Sequence, residues 1–384
     1  MARGTIIRRG NSWRICVELP PENGKRRQKW ETIKGTKREA EKRLTELLAL
    51  VDQQKLGANP KMTLAQYLER WLEDYASTLA PKTCSTYQFL VHAYVTPHLG
   101  NVQLSKLTPS HIVRLFTLLR EAPRQDRRKT EDKLSPATLH AVYRMLKTAL
   151  NVAVKWQLLP RNPMDGIDAP KVLRKEMKTF TPEQAKAFLD ASAQEHIKWQ
   201  AFFALLLHTG VRPGELKALR WTDVDLDAKA ITIQQNAQRI RGIGRVVGQP
   251  KTGGSRRRVA LTVDVASLLK RHRTAQNEER LQLGPLWQDQ NLVFASEVGT
   301  ILEDKRIGEV FRRICERAGV PRIRLYDLRH SHASLLLALG VHPKVVAERL
   351  GHSNVNLTLN LYSHVLPTLQ EDAANALDAL LKKV

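Results

Sequence analysis

The apolar positions of this 384-residue chain change their period along its length, and the changes divide it into segments. From Trp13 to Leu19 the residues alternate as Trp-Arg-Ile-Cys-Val-Glu-Leu, a turn follows at Pro20 to Gly24, and Arg27 to Ile33 makes another strand. Thr36 with Glu39 forms a capping box, after which Ala40, Leu44, Leu47, Leu48 and Val51 fall on one helical face. Residues 1–57 therefore read as a small three-stranded sheet followed by a helix. Residues 62–168 carry the helical period throughout. Thr63 with Gln66 caps a helix whose apolar face is Leu64, Tyr67, Leu68, Trp71, Leu72 and Tyr75. At that spacing Trp71 and Tyr75 are core residues rather than stacking platforms. Further helices are predicted near 82–96, 109–120 and 136–157, with Thr108 and Ser135 each an N-cap before a proline. The charged run APRQDRRKTEDK between the last two is a loop or mobile hairpin.

Pro160, Pro163 and Pro170 punctuate LLPRNPMDGIDAPKVLRKEMK, which predicts an extended linker, drawn at 169–179. Residues 180–384 open with the capping box of Thr181 and Gln184 and are mostly helical. Two strands interrupt them: Ala230 to Gln235 alternates around Ile231 and Ile233, and Arg256 to Leu261 around Val259 and Leu261, with a glycine-bearing connection between. The final PTLQEDAANALDALLKK places Leu369, Ala373, Ala376, Leu377 and Leu380 on one face, to be covered by its own domain or by a neighbouring subunit. The fold class is mainly α with small β elements, α+β, its third domain mainly helical with a small antiparallel sheet.

Composition sharpens this picture. Lys and Arg number 62 against 38 Asp and Glu, a formal charge of +24, which attracts a polyanion without regard to its sequence. At 42% hydrophobic residues the chain can bury cores, so it is not a disordered basic tail. Cys16, Cys84 and Cys315 have no spacing suited to zinc or a disulfide framework, which fits a reducing cytosol. The start MARGTIIRRGNSWR has no apolar core of signal-peptide length, and no stretch approaches the roughly 18 apolar residues of a membrane span. A cytoplasmic protein with no membrane partner is expected.

The candidate chemistry is an ordered basic set that ends in a tyrosine. Arg212 lies in HTGVRPGEL, between the helix end at Gly210 and Pro213, with Glu215 placed to brace its guanidinium. Lys251 lies in QPKTGGSRRRV, Arg329 in YDLRHSHAS, His352 in ERLGHSNV, and Tyr362 follows ten residues later in LNLYSHV. Two guanidinium forks can hold the non-bridging oxygens of a phosphodiester bidentately, so no metal or other cofactor is required. Nearby cations also favour the ionised form of a phenol, whose ordinary pKa is about 10. GQPKTGGS fails as a nucleotide-binding loop, since Gly254 stands where the lysine belongs. His332, His342 and His364 lack companion cysteines or carboxylates at ligand spacing, which argues against a metal site. ALGVHPKVVAERLGHSNV, with Val345, Val346, Ala347 and Leu350 inside, also has the look of a helix-turn-helix reader.

In order and local sequence, the set resembles that of the tyrosine recombinases, the phage integrase family. The resemblance implies that Tyr362 attacks a DNA phosphodiester to give a 3′-phosphotyrosyl bond and that Arg212, Arg329 and His352 hold the phosphate. It also implies that Lys251 protonates the departing 5′ oxygen from a β-hairpin and that Glu215 supports Arg212. One position departs from the pattern: Tyr326 stands where the family usually has histidine, and a phenol can donate to phosphate but accepts a proton less readily. The first segment resembles an arm-binding domain, with Arg8, Arg9, Arg14, Lys25, Arg26 and Arg27 as DNA contacts, joined near the cut site by Arg256 and Arg257. The second resembles the family's core-binding domain. Implied partners are double-stranded core and arm attachment sites, three further copies in a synaptic homotetramer, and an accessory bending or directionality factor in a bacterial cytoplasm, at the nucleoid. A type IB topoisomerase would share the chemistry, and a helix-turn-helix regulator would share only the DNA.

Overall fold

All three capping boxes form where the sequence places them, at Thr36, Thr63 and Thr181. In this computed structural model the described residues are 4–22, 25–52, 61–121, 133–172, 177–248, 256–352 and 354–362, with isolated positions beyond. The chain divides into two compact units, Met1–Arg174 and Lys175–Val384.

The first unit holds two separate apolar cores. One lies under an antiparallel sheet of β1 (Gly4–Arg9), β2 (Ser12–Glu22) and β3 (Lys25–Ile33), with β2 central. Ile15 and Val17 alternate inward, as the period-two pattern requires, and meet Ala40, Leu44, Leu47 and Leu48 of α1 (Lys37–Asp52). The side chain of Val51 lies outside the described residues. Strand β1 left little trace in the sequence because only Ile6 of its residues is even partly covered.

The second core is a helical bundle of α2 (Leu64–Asp74), α3 (Pro81–Leu90), α4 (Thr96–Leu99), α5 (Pro109–Glu121) and α6 (Pro136–Lys155), a π-helical turn at Val91–Val95 joining α3 to α4. Trp71 is fully buried and stacks on Tyr75 and Tyr87, with centroids 6.0 and 5.4 Å away, as a core residue should. Ser135 caps α6 by accepting from the Thr138 N–H. At Thr108 the reciprocal partner is an imidazole: His111 Nδ1 accepts from the Thr108 backbone N–H at 3.2 Å and lies 2.9 Å from its hydroxyl. The charged run between α5 and α6 lies outside the described residues except for Lys133. The proline-rich run beyond α6 is packed rather than extended over its first half. Leu159 and Met164 are buried in the bundle core, Tyr143 donates to the Ile167 carbonyl at 2.7 Å, and Asn162 Nδ2 donates to Asn151 at 2.7 Å. The prolines fix local bends, but the apolar residues between them gain more by burial on α6 than by hydration.

In the second unit α8 (Ile197–Thr209) is apolar all round and forms the centre of the core, with α7 (Pro182–Ser192) against it. Phe188, Phe202, Phe203, Phe294 and Phe311 meet there edge to face. The short α9 (Pro213–Lys217) leads to a three-stranded sheet, β4 (Val224–Asp225), β5 (Ala230–Ile233) and β8 (Arg257–Ala260), in which Ile231 pairs with Val259. The glycine-bearing connection holds an unanticipated hairpin, β6 (Asn236–Ile240) with β7 (Gly244–Gly248). In β6 the buried residues are Ala237 and Ile240, three apart, so the strand period is not visible in the sequence. Helices α10 (Val263–Leu283), α11 (Asp304–Arg317), α12 (Asp327–Ala338), α13 (Pro343–Leu350) and α14 (Val355–Tyr362) complete the unit. The residues expected to form the last amphipathic face, Leu369 to Leu380, lie outside the described residues.

Candidate active site

Helix α8 ends at Gly210, whose φ of 63° lies in the left-handed region. A Cβ there would sit 2.5 Å from the His332 ring and 2.7 Å from Leu350, so only glycine allows α12 and α13 to close on this turn. The turn delivers Arg212 to the N-cap of α9, with Pro213 at the first helical position. Glu215, 2% exposed, accepts from the Arg212 backbone N–H at 2.9 Å and from Nη1 at 2.7 Å. Arg212 Nη2 donates to the Gly351 carbonyl at 3.3 Å.

Arg329 comes from the first turn of α12 and is 1% exposed. Its Nη1 donates to the Gly210 carbonyl at 2.7 Å, while its buried Nη2 has no hydrogen-bond partner among the described residues. Burial, with Arg212 nearby, pushes this guanidinium down to about 10. A buried donor left unpaired is costly, and such groups mark sites where something from outside completes the network. His352 follows Gly351, the left-handed C-cap of α13. Its Nδ1 lies 2.8 Å from the Thr358 hydroxyl of α14, and burial together with Arg329 and Arg212 lowers its pKa to about 4. At neutral pH the imidazole is uncharged.

The structure thus brings Arg212, Glu215, Arg329 and His352 together. Tyr326, at the N-cap of α12, is 41% exposed, with its ring edge-on to His330 at 5.3 Å. Lys251 lies outside the described residues, and of Tyr362 only the backbone, which ends α14, is described. Among the expected DNA contacts, Arg8, Arg9 and Arg256 are exposed and Arg27 is half-buried. Arg14 lies over the Trp30 ring at 4.7 Å. The side chains of Lys25 and Arg26 lie outside the described residues. Arg257 differs from its expected place at the DNA surface. Its side chain is only 7% exposed, with Nη2 2.8 Å from Glu215 and Nε donating to the Arg349 carbonyl at 2.7 Å. Strand alternation turns Arg257 inward beneath α13, where a buried carboxylate awaits it, and leaves Arg256 and Arg258 outside.

Sequence reasoning did not find Arg349, which binds the unit together. Its Nη2 donates to the carbonyls of His208 and Ala260, at 2.9 and 3.1 Å, and its Nε to His332 Nε2 at 3.3 Å. His332 Nδ1 lies 2.9 Å from the Leu207 carbonyl, so both ring nitrogens are engaged by protein groups. His342 serves as a cap, accepting from the Lys344 N–H, and His364 lies outside the described residues. In α13, Val346, Ala347 and Leu350 are buried as expected, but Val345 is 51% exposed.

The histidines make the unit's stability depend on pH. Burial lowers the pKa of His330, and it takes His272 to about 4 and His332 to about 3, where Arg349 adds to the effect. An unfolded chain takes up these protons near pH 6.5, whereas the native state resists until well below that, so stability falls as pH drops from about 6.5 toward 4. The urea midpoint of the full-length protein is expected to decrease steadily between pH 7.5 and pH 5. A flat or rising midpoint would contradict the burial of neutral imidazoles.

Two guanidiniums and a neutral imidazole, one fork braced on a buried carboxylate and one with a donor unpaired among the described residues, make an oxyanion-binding site of the kind a phosphoryl-transfer enzyme uses. The sequence model of the phage integrase family matches residues 178–368, and that of the phage integrase N-terminal SAM-like domain matches residues 63–117. The chain is 30% identical over 405 residues to a tyrosine recombinase XerC-like protein of Caldanaerobacter subterraneus subsp. tengcongensis, spanning 99% of this chain and 100% of that one. It is 29% identical to the ICEBs1 integrase of Bacillus subtilis, over 78% of each. The chain belongs to the tyrosine recombinases of the phage integrase family. Among solved structures, the Tn1549 transposon integrase in complex with transposon right end DNA aligns with a TM-score of 0.65 at 21% identity, over 78% of this chain and 95% of that one. A lambda integrase dimer bound to a core site aligns with a TM-score of 0.53 at 18% identity, over 78% and 95%. The expected family and the α+β fold are borne out, and the reading as a non-catalytic regulator is set aside.

Proposed function

We propose that this recombinase joins two specific DNA sites by cutting and resealing strands through Tyr362. The phenolic oxygen attacks phosphorus, the bond to the 5′ oxygen breaks, and a 3′-phosphotyrosyl ester forms, which keeps the free energy of the phosphodiester for rejoining without a high-energy cofactor. Arg212 and Arg329 hold the two non-bridging oxygens as their charge grows. The observation that carries this reading is the buried Nη2 of Arg329, unpaired among the described residues, beside an Arg212 fork already anchored on Glu215. His352 is neutral, and in the tautomer whose Nδ1 accepts from the Thr358 hydroxyl its other nitrogen donates to the phosphate. Lys251 protonates the departing 5′ oxygen, a general-acid step typically contributing about 10²- to 10⁴-fold.

The three segments take separate tasks in this reading. The sheet and helix of residues 1–57 engage arm sites through Arg8, Arg9, Arg14, Lys25, Arg26 and Arg27, and the bundle of residues 62–168 grips the core site. Residues 169–179 link it to the catalytic domain of residues 180–384, where Arg256 adds a phosphate contact. A lambda integrase tetramer has been solved bound to a Holliday junction, and we take four copies of this chain, assisted by a bending or directionality factor in a bacterial cytoplasm, as the working assembly. A nicked suicide duplex carrying the element's own core site tests the core of the proposal, and a covalent adduct is the expected result. Joining of two separate sites then distinguishes recombination from the relaxation a topoisomerase would perform.

Tyr326 is the position at which this chain differs from the usual family pattern. In this reading its exposed phenol donates one hydrogen bond to the phosphate. Tyr326→Phe is therefore expected to slow single-turnover cleavage by about 10- to 100-fold, the worth of one hydrogen bond to a charged group, with DNA affinity nearly unchanged. Tyr326→His should retain activity, since neutral imidazole also donates. A Phe variant that matches the parent across a pH series would make Tyr326 a packing residue.

A further inference from the structure

The tertiary structure turns one arginine of the basic run Arg256 to Arg258 away from solvent, and its contacts form a closed circuit through the site. Arg257 reaches Glu215 with Nη2 at 2.8 Å and Nη1 at 3.3 Å, while Nε donates to the Arg349 carbonyl at 2.7 Å. The same carboxylate accepts from Arg212. Two residues after Arg349, Gly351 packs on the Arg257 guanidinium so closely that a Cβ would lie 2.9 Å from Nη1 and 3.1 Å from Cζ, and its φ of 69° also favours glycine. The Gly351 carbonyl accepts in turn from Arg212 Nη2. His352 is the next residue. The circuit therefore runs from Arg212 through Glu215 and Arg257 to the turn before His352, and back to Arg212.

We propose that Arg257 is a positioning residue for strand cleavage: it holds the fork of Arg212 through a shared buried carboxylate and the approach of His352 through the turn at Gly351. The inference rests on the recombinase reading above and adds to it a residue that touches neither DNA nor the reacting atoms. A carboxylate that is 2% exposed needs its full complement of donors. With Arg257 gone, Glu215 keeps only Arg212 among the described residues and can draw that fork toward itself and away from the phosphate. The Gly351 turn loses the flat surface it rests on at the same time. Neither change removes a DNA contact, because Arg257 is committed inside the domain.

The test separates positioning from DNA binding. Arg257→Gln and Arg257→Lys are prepared in the full-length protein, their thermal unfolding is compared with the parent, and two quantities are measured on a core-site suicide duplex. The first is DNA affinity across a salt series. The second is the single-turnover rate of adduct formation at saturating protein. Misplacing a group by about 1 Å can cost about 10²-fold, and a loss of that order in rate is expected for Gln. Lys restores a cation at Glu215 but not both arms of the fork, so it should recover part of the rate. Affinity and salt slope should stay parental in both. A parental rate in both variants overturns the proposal, and so does a salt slope reduced by about one with the rate intact, which would make Arg257 a phosphate contact. If Gln fails to fold, the Lys variant decides: a reduced rate at parental affinity supports the proposal and a parental rate overturns it. Absence of an adduct from the parent would instead sink the recombinase reading itself.

Discussion

Tyr362→Phe is expected to bind its DNA as the parent does and to form no covalent adduct on a nicked suicide duplex. The substitution keeps the ring and removes one oxygen, so only the proposed nucleophile is lost. The backbone supports the assignment from an independent direction. Thr358, fully buried in α14, lies 2.8 Å from His352 Nδ1, and Tyr362 comes four residues later, one helical turn further on. In the proposed mechanism, an imidazole held by the helix that ends in Tyr362 would couple the phosphate-binding group to the attacking one. Protein treated with the duplex and run under denaturing conditions reads the outcome directly. An adduct of parental yield in the Phe variant would move the nucleophile to another residue.

Arg329→Lys is expected to lower the single-turnover cleavage rate by about 10²- to 10³-fold, the usual cost of losing one transition-state donor. Arg329 spends one arm on the Gly210 carbonyl and has no partner for the other among the described residues, and a single ammonium cannot do both at the same geometry. Arg212→Lys should cost a similar factor, since Glu215 and the Gly351 carbonyl fix a planar fork and not a point charge. Binding to duplex DNA should change far less than the rate in both, because the chain's overall charge changes in neither. A near-parental rate in either variant, with an unchanged melting profile, would remove that arginine from the transition state. Such an outcome at Arg329 would also require another explanation for its unpaired Nη2.

The sequence by itself determined most of the helices of this protein and the order of its candidate catalytic residues. Capping boxes at Thr36, Thr63 and Thr181, and the apolar faces behind the first two, are local patterns, set by hydrogen bonds three residues apart and by the helical period, and among the described residues they appear as read. The strands around Ile231 and Val259 were legible for the same reason, each by its own alternation, and the structure adds that these two residues pair. Arg212 with Glu215 was legible because the brace is three residues away. The tertiary structure decided what lies across long separations in the chain. Arg257 looked like its neighbours Arg256 and Arg258, and only the packing of β8 beneath α13 and α9 turned it toward a carboxylate 42 residues earlier. Arg349 looked like one more charge in a basic chain until three elements closed around it. The β6–β7 hairpin and the packed start of the linker were hidden because their burial follows neighbours rather than a period of their own. A basic side chain carries no local sign of whether it will meet solvent, DNA or a buried acid. Its surroundings are set by burial of the apolar residues around it, and that burial is decided by the fold as a whole.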